Sequence, residues 1–119
     1  MLKEKIQGFI EKISAVEGVS ACAIISRDGI MLGKSMQTEF NEPWFAAMNA
    51  TLFASAESAS TIIRAASPEI VTIYSTDNTI VVMGAGEKLL IVAVTGRKSE
   101  PSPMVTALDV VAKEIGGSF

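Results

Sequence analysis

The stretch Gly29-Ile30-Met31-Leu32-Gly33-Lys34-Ser35 comes nearest to a chemical motif in this chain. It resembles a phosphate-binding P-loop, in which backbone N–H groups cradle phosphates and a lysine neutralises them. The spacing is one residue short, because the first Gly would have to stand at Asp28. Ile30, Met31 and Leu32 are strand formers, and no helix follows Ser35 to aim its positive end at an anion. Gly84-Ala85-Gly86-Glu87-Lys88 suggests a dinucleotide loop in the same superficial way. It joins two strand-like segments with no helix after it, so it reads as a tight turn.

The remaining reactive side chains are few. The chain has no histidine, which removes the commonest general base and metal ligand and every Ser-His or Cys-His nucleophile pair. Cys22 lies inside an apolar run without a basic neighbour and reads as a buried small hydrophobe. The carboxylates are scattered, and none form an acid/base couple at helical or cross-strand spacing. Arg27, Asp28, Arg97, Lys98 and Glu100 fall in loops and read as solvated turn residues. No catalytic, cofactor-binding or metal-binding residue is expected, and no enzymatic activity.

Composition points to a single globular domain over residues 1–119. Hydrophobic residues make up 49% and charged ones 19%, enough apolar material for a core. Net charge is −3 and no basic stripe is present, so nucleic acid is not an expected partner. No apolar run approaches the roughly 18–20 residues of a membrane span. The first residues alternate charged and apolar at helical spacing, unlike a signal peptide. With one unpaired cysteine, this leads to the expectation of a cytoplasmic protein.

The elements that must carry these residues are legible from periodicity. Leu2, Ile6, Phe9, Ile10 and Ile13 share one face of an amphipathic helix ending near Glu17-Gly18. Val19–Ser26 and Ile30–Met36 form two strands about an Arg27-Asp28-Gly29 turn. Pro43–Ala66 reads as one long helix, capped by Asn41 or Glu42. Glu69–Ser75, Thr79–Ala85 and Leu89–Thr95 form a three-stranded meander. After a linker-like Gly96–Pro103, Ser102 caps a final helix that Pro103 starts and Gly116-Gly117 ends. This order gives a five-stranded antiparallel sheet in an α/β sandwich. The first and last helices share one face and the long helix takes the other.

The long helix has two apolar surfaces. Phe45, Met48, Leu52, Ser55, Ala56, Ala59, Ile62, Ile63 and Ala66 gather on one stripe, with Trp44 at its edge, and this stripe is expected to bury the sheet. Phe53 lies roughly 130° away at 100° per residue. It is set among small residues that let another backbone approach, and so reads as an interface anchor. The expected self-association surface is Ala46, Asn49, Ala50, Phe53, Glu57, Ser60 and Arg64, continued by Ile70, Val71, Thr72, Ile73 and Tyr74. These last five carry no charge to block edge pairing.

With these elements in order, the chain resembles the roadblock/LC7 family, both the dynein light chain roadblock type and the prokaryotic GTPase-regulator type. The residues that carry the resemblance are the short first helix leading into Glu17-Gly18-Val19, then SACAIISRDGIMLGKSM, the Ala/Ser-rich middle helix, the meander and the last helix. The resemblance implies a profilin-like sandwich with sheet order 2-1-5-4-3. It also implies homodimers joined through third strands and middle helices, and binding or regulation of Ras-like small GTPases, or an adaptor role in a larger assembly. The leading expectation is a non-enzymatic homodimeric adaptor for such a GTPase. The alternative is a small-molecule sensor module of profilin-, PAS- or GAF-like architecture, which would need a polar-lined interior cavity.

Overall fold

In the computed structural model, which describes residues 2–96 and 101–119, the elements are α1 (Leu2–Ser14), β1 (Ala21–Ser26), β2 (Met31–Ser35), α2 (Glu42–Ile62), β3 (Ile70–Tyr74), β4 (Asn78–Ala85), β5 (Leu89–Gly96) and α3 (Pro101–Ser118). All five strands pair antiparallel in the order β2-β1-β5-β4-β3, as the resemblance implies. Strands β1, β4 and β5 occupy the middle and carry the most deeply buried residues. Edge strands β2 and β3 are only part-buried. Arg97, Lys98, Ser99 and Glu100 of the expected linker lie outside the described residues.

The two sheet faces follow from strand alternation. Cys22, Ile24, Val81, Met83, Ile91 and Ala93 point to one face and meet Ile6, Ile10 and Ile13 of α1 with Leu108, Val111 and Ile115 of α3. Ala23, Ile25, Val82, Leu90 and Val92 point to the other face, under α2. Helix α1 lies over β1 and β2, and α3 lies mainly over β4. Gly33 permits the first contact: a Cβ there would meet Ile6 Cγ2 at 2.8 Å. Its place in the P-loop-like string is thus a packing requirement.

Several boundaries differ from those expected. Helix α1 stops at Ser14, and the chain unwinds through a turn closed by Val16 N–H to Ile13 O and a second, closed by Val19 N–H to Val16 O, in which Gly18 at φ 99° redirects it towards β1. Helix α2 is shorter than expected because Arg64 takes a left-handed conformation at φ 58°. Ala65 N–H donates to Ser60 O and Arg64 N–H to Thr61 O, closing the last turn in a Schellman arrangement. Helix α3 begins at Pro101, earlier than expected, and runs through Gly116-Gly117 to Ser118. Gly116 does not end the helix; it lets α3 settle on the β4–β5 turn, where a Cβ on Gly86 would lie 2.7 Å from Gly116 Cα.

The largest correction concerns the direction α2 faces. Its buried residues are Ala46, Asn49, Ala50 and Phe53, whereas the expected core stripe is turned outward or to the flank. Phe45, Leu52 and Ala56 are half-buried, and Met48, Ser55, Ala59, Ile62, Ile63 and Ala66 are exposed. Relative to expectation the helix is rotated by roughly 130° about its axis. Small residues decide it: Ala46 and Ala50 let the backbone approach the sheet so that Phe53 lies on Ala23, Ile25, Val82, Leu90 and Val92. Asn49 is tolerated beneath the helix because its Nδ2 donates to Phe45 O at 2.9 Å.

Candidate functional site

With α2 turned this way, its outer face and the free side of β3 both lack cover among the described residues. Trp44 is 71% exposed, Met48 60% and Ile62 82%. These three fall on one side of the helix, with Thr51, Ser55 and Ala59 between them. Large apolar side chains therefore stand at both ends of the face and small ones in the middle. Asn41 fixes the near end, its Oδ1 accepting from Trp44 N–H at 3.0 Å, with Pro43 in the first turn.

Strand β3 is the outer strand on that side of the sheet. The bonds Gly84 N–H to Glu69 O and Ser75 N–H to Asn78 O bracket its register with β4. Glu69, Val71, Ile73 and Ser75 thus exchange hydrogen bonds with β4. The N–H and C=O groups of Ile70, Thr72 and Tyr74 point away from it. No charged residue lies between Ile70 and Tyr74, so this edge is chemically open to another strand. Tyr74 is 65% exposed.

The expected interface residues do not stay together on one surface. Ala46, Asn49, Ala50 and Phe53 are interior residues of this chain, so their expected exposure is corrected. Phe53 is 2% exposed and cannot meet a partner while the fold is intact. Glu57 is drawn inward by Arg27, whose Nη1 lies 3.3 Å from Glu57 Oε2. The guanidinium also sits 5.2 Å from the centre of the Phe53 ring and donates through Nη2 to Gly86 O at 2.8 Å. Arg27 is therefore a tie between the β1–β2 turn, α2 and the β4–β5 turn, not a solvated turn residue. Ser60 is half-buried and donates to Ala56 O, and Arg64 is exposed at the end of α2. Ile70, Val71, Thr72, Ile73 and Tyr74 stay together along the free edge.

The residues with chemical potential are absorbed into the structure. Lys34 lies 2.9 Å from Glu42 Oε2, an ion pair that anchors β2 to the start of α2. Gly29 adopts φ 92° in the hairpin turn, where a Cβ would press on Ala47 Cα at 3.1 Å. Cys22 is buried, and desolvation pushes its thiol above its ordinary value of 9.0 despite the opposing contact with Ser14. No group of three or more metal-ligating side chains is found among the described residues. No helix among them is long and apolar enough to cross a membrane.

The Roadblock/LC7 domain model matches residues 6–95, from the first core residue of α1 to the last residue but one of β5. The chain belongs to the Roadblock/LC7 domain family. Solved structures agree with the Roadblock/LC7 architecture. MglB of Myxococcus xanthus superposes with TM-score 0.89 at 11% identity, covering 98% of this chain and 89% of that one. The gliding protein MglB of Thermus thermophilus gives TM-score 0.84 at 15% identity, covering 97% and 88%. Profilin II of Acanthamoeba castellanii gives 0.67 at 18% identity, covering 92% and 95%. At these identities the likeness is one of fold, and it bears out the profilin-like sandwich. No curated protein matches the chain significantly.

Sequence reasoning placed Trp44, Met48, Ile62 and Ile63 on the core side and so missed them as surface residues. One signal could have found them. Four large apolar side chains on the sheet side would hold α2 away from the small inward-facing Ala23, whereas an Ala-Asn-Ala-Phe face can lie close.

Proposed function

We propose that this Roadblock/LC7 domain is a non-enzymatic homodimeric adaptor of the cytoplasm that binds a Ras-like small GTPase and regulates or scaffolds it. The observation that carries the reading is the exposed apolar face of α2 beside an unpaired, uncharged β3 edge. A monomer that left both in water would present an apolar patch of the kind that marks an interaction site. A two-fold axis through Thr72 closes both at once. It pairs Ile70, Thr72 and Tyr74 with Tyr74, Thr72 and Ile70 of a second copy, forming roughly six backbone hydrogen bonds. The same axis sets two α2 helices antiparallel. Trp44 and Met48 of one then approach Ile62 of the other, while Thr51, Ser55 and Ala59 allow a close crossing.

The GTPase half of the reading rests on family membership and on what that family implies. The absorption of Lys34, Cys22 and Arg27 into structural roles supports a binding function over a catalytic one. Two measurements test the proposal. Sedimentation equilibrium should give a dimer at micromolar concentration, and Trp44→Glu combined with Thr72→Pro should give a folded monomer. Biolayer interferometry against purified Ras-like GTPases, loaded with GDP or a non-hydrolysable GTP analogue, should detect a complex. A wild-type monomer at high micromolar concentration sinks the dimer, and failure to bind any such GTPase in either state sinks the adaptor role.

A further inference from the structure

On the sheet face opposite α2 a second unfilled space opens, and it runs round the start of β3 to Arg27 and to Glu57 of α2. Helix α3 lies mainly over β4, so β3 has no helix of its own on that face. A groove of about 730 Å³ follows the flank of α3 from Val105 to Gly116, with Ile70 and Met83 in its floor. Ile70 packs toward the α1/α3 core, and strand alternation puts Thr72 and Tyr74 on the same side. The exposed ring of Tyr74 lies on that side of β3, beyond the groove's own lining, which reaches Ile70.

We infer that in the homodimer this space becomes a trough that holds one amphipathic, basic α-helix of a partner protein. The inference rests on the homodimer reading above. Pairing two β3 strands brings the two grooves side by side, with Ile70, Thr72 and Tyr74 of both copies as the floor and the two α3 helices as walls. Strands are spaced about 4.8 Å apart, so helices seated over β4, or between β4 and β5, stand roughly 14–19 Å apart across the axis. Packed helices need about 8–10 Å between axes. The opening therefore admits one helix and not two. An added strand is disfavoured, because the β3 backbone groups are already engaged by the other copy, whereas a helix satisfies its own.

The charge of the occupant follows from the walls. Arg27 is paired with Glu57 and Lys113 with Asp109, the latter at 2.9 Å. Lys113 also interacts with Glu69, so three carboxylates, Glu57, Glu69 and Asp109, share two cations; each groove carries a net charge of −1 and the trough carries two. A helix with an apolar stripe against Ile70, Thr72 and Tyr74 and lysines or arginines on its flanks matches this surface. The floor strand has five residues, about 17 Å, which corresponds to roughly 11 residues of helix.

The test uses the whole chain, ¹⁵N-labelled, and a synthetic 14-residue helix with a leucine face and lysine flanks, compared with the same peptide carrying glutamates. Sedimentation in the same buffer reports the oligomeric state. The expected result is one lysine peptide per dimer and amide shift changes at Ile70, Thr72, Tyr74, Val105 and Asp109. Binding should be at least tenfold weaker for the glutamate peptide and for Thr106→Arg, an exposed wall position. A dimer that binds neither peptide, that binds both equally, or whose shifts map to the outer face of α2 overturns this inference and leaves the homodimer standing. A monomer in sedimentation overturns both.

Discussion

Replacing Phe53 by alanine tests which way α2 faces. The ring is fully enclosed by the α2 side of the sheet, together with Ala23, Ile25, Val82, Leu90 and Val92. A buried aromatic side chain removes roughly 150–250 Å² from water. At about 25 cal/mol per Å², that is ~4–6 kcal/mol. Alanine keeps a small part of it and the helix relaxes a little into the void, so the expected loss is about 3–5 kcal/mol. The Arg27 contact adds less than about 1 kcal/mol, because the guanidinium is part-exposed. The assay is urea unfolding in a Thr72→Pro background at two protein concentrations tenfold apart, since a dimer's apparent stability depends on protomer concentration. Trp44→Ala is the companion. In that background it should change stability by no more than about 0.5 kcal/mol, and in the otherwise wild-type chain it should weaken self-association. The reasoning is refuted by the opposite pattern: Phe53→Ala losing under about 1 kcal/mol while dissociating the dimer, and Trp44→Ala costing several.

Other outcomes follow from the same structure. Thr72→Pro alone removes an N–H that points away from β4, so circular dichroism should stay native while light scattering reports a monomer. Arg64→Gly relieves a left-handed residue at φ 58° and should raise stability by about 1 kcal/mol, read as an upward shift in thermal midpoint. Gly86→Ala should lose about 2 kcal/mol or more, because a Cβ there meets the α3 backbone at 2.7 Å and φ is 76°. Burial raises the folded-state pKa of Cys22, so the folded chain holds the thiol proton longer than the unfolded one. Its contribution is fully present below the ordinary thiol value of 9.0 and declines as pH rises beyond it. Urea titrations from pH 8 to 10 should show a steeper fall for the wild type than for Cys22→Ala.

How much was legible depended on how local the deciding physics is. The sequence by itself determined the eight elements, because apolar periodicity, the Asp28-Gly29 turn, Pro43 and the meander turns act over a few residues. It also determined that both sheet faces are covered, since β1, β4 and β5 are apolar on both sides. The strand order rested on the family resemblance, because antiparallel strands of similar composition do not name their neighbours. Only the tertiary structure decided which side of α2 is the inside. Apolar residues ring that helix almost completely, so periodicity has no clear answer. The choice fell to close approach: Ala46 and Ala50 seat Phe53 on the sheet, and Arg27 reaches across to hold Glu57 beside it. The same contacts turn Trp44, Met48 and Ile62 outward, which is why Phe53 is core and its opposite face is the candidate site.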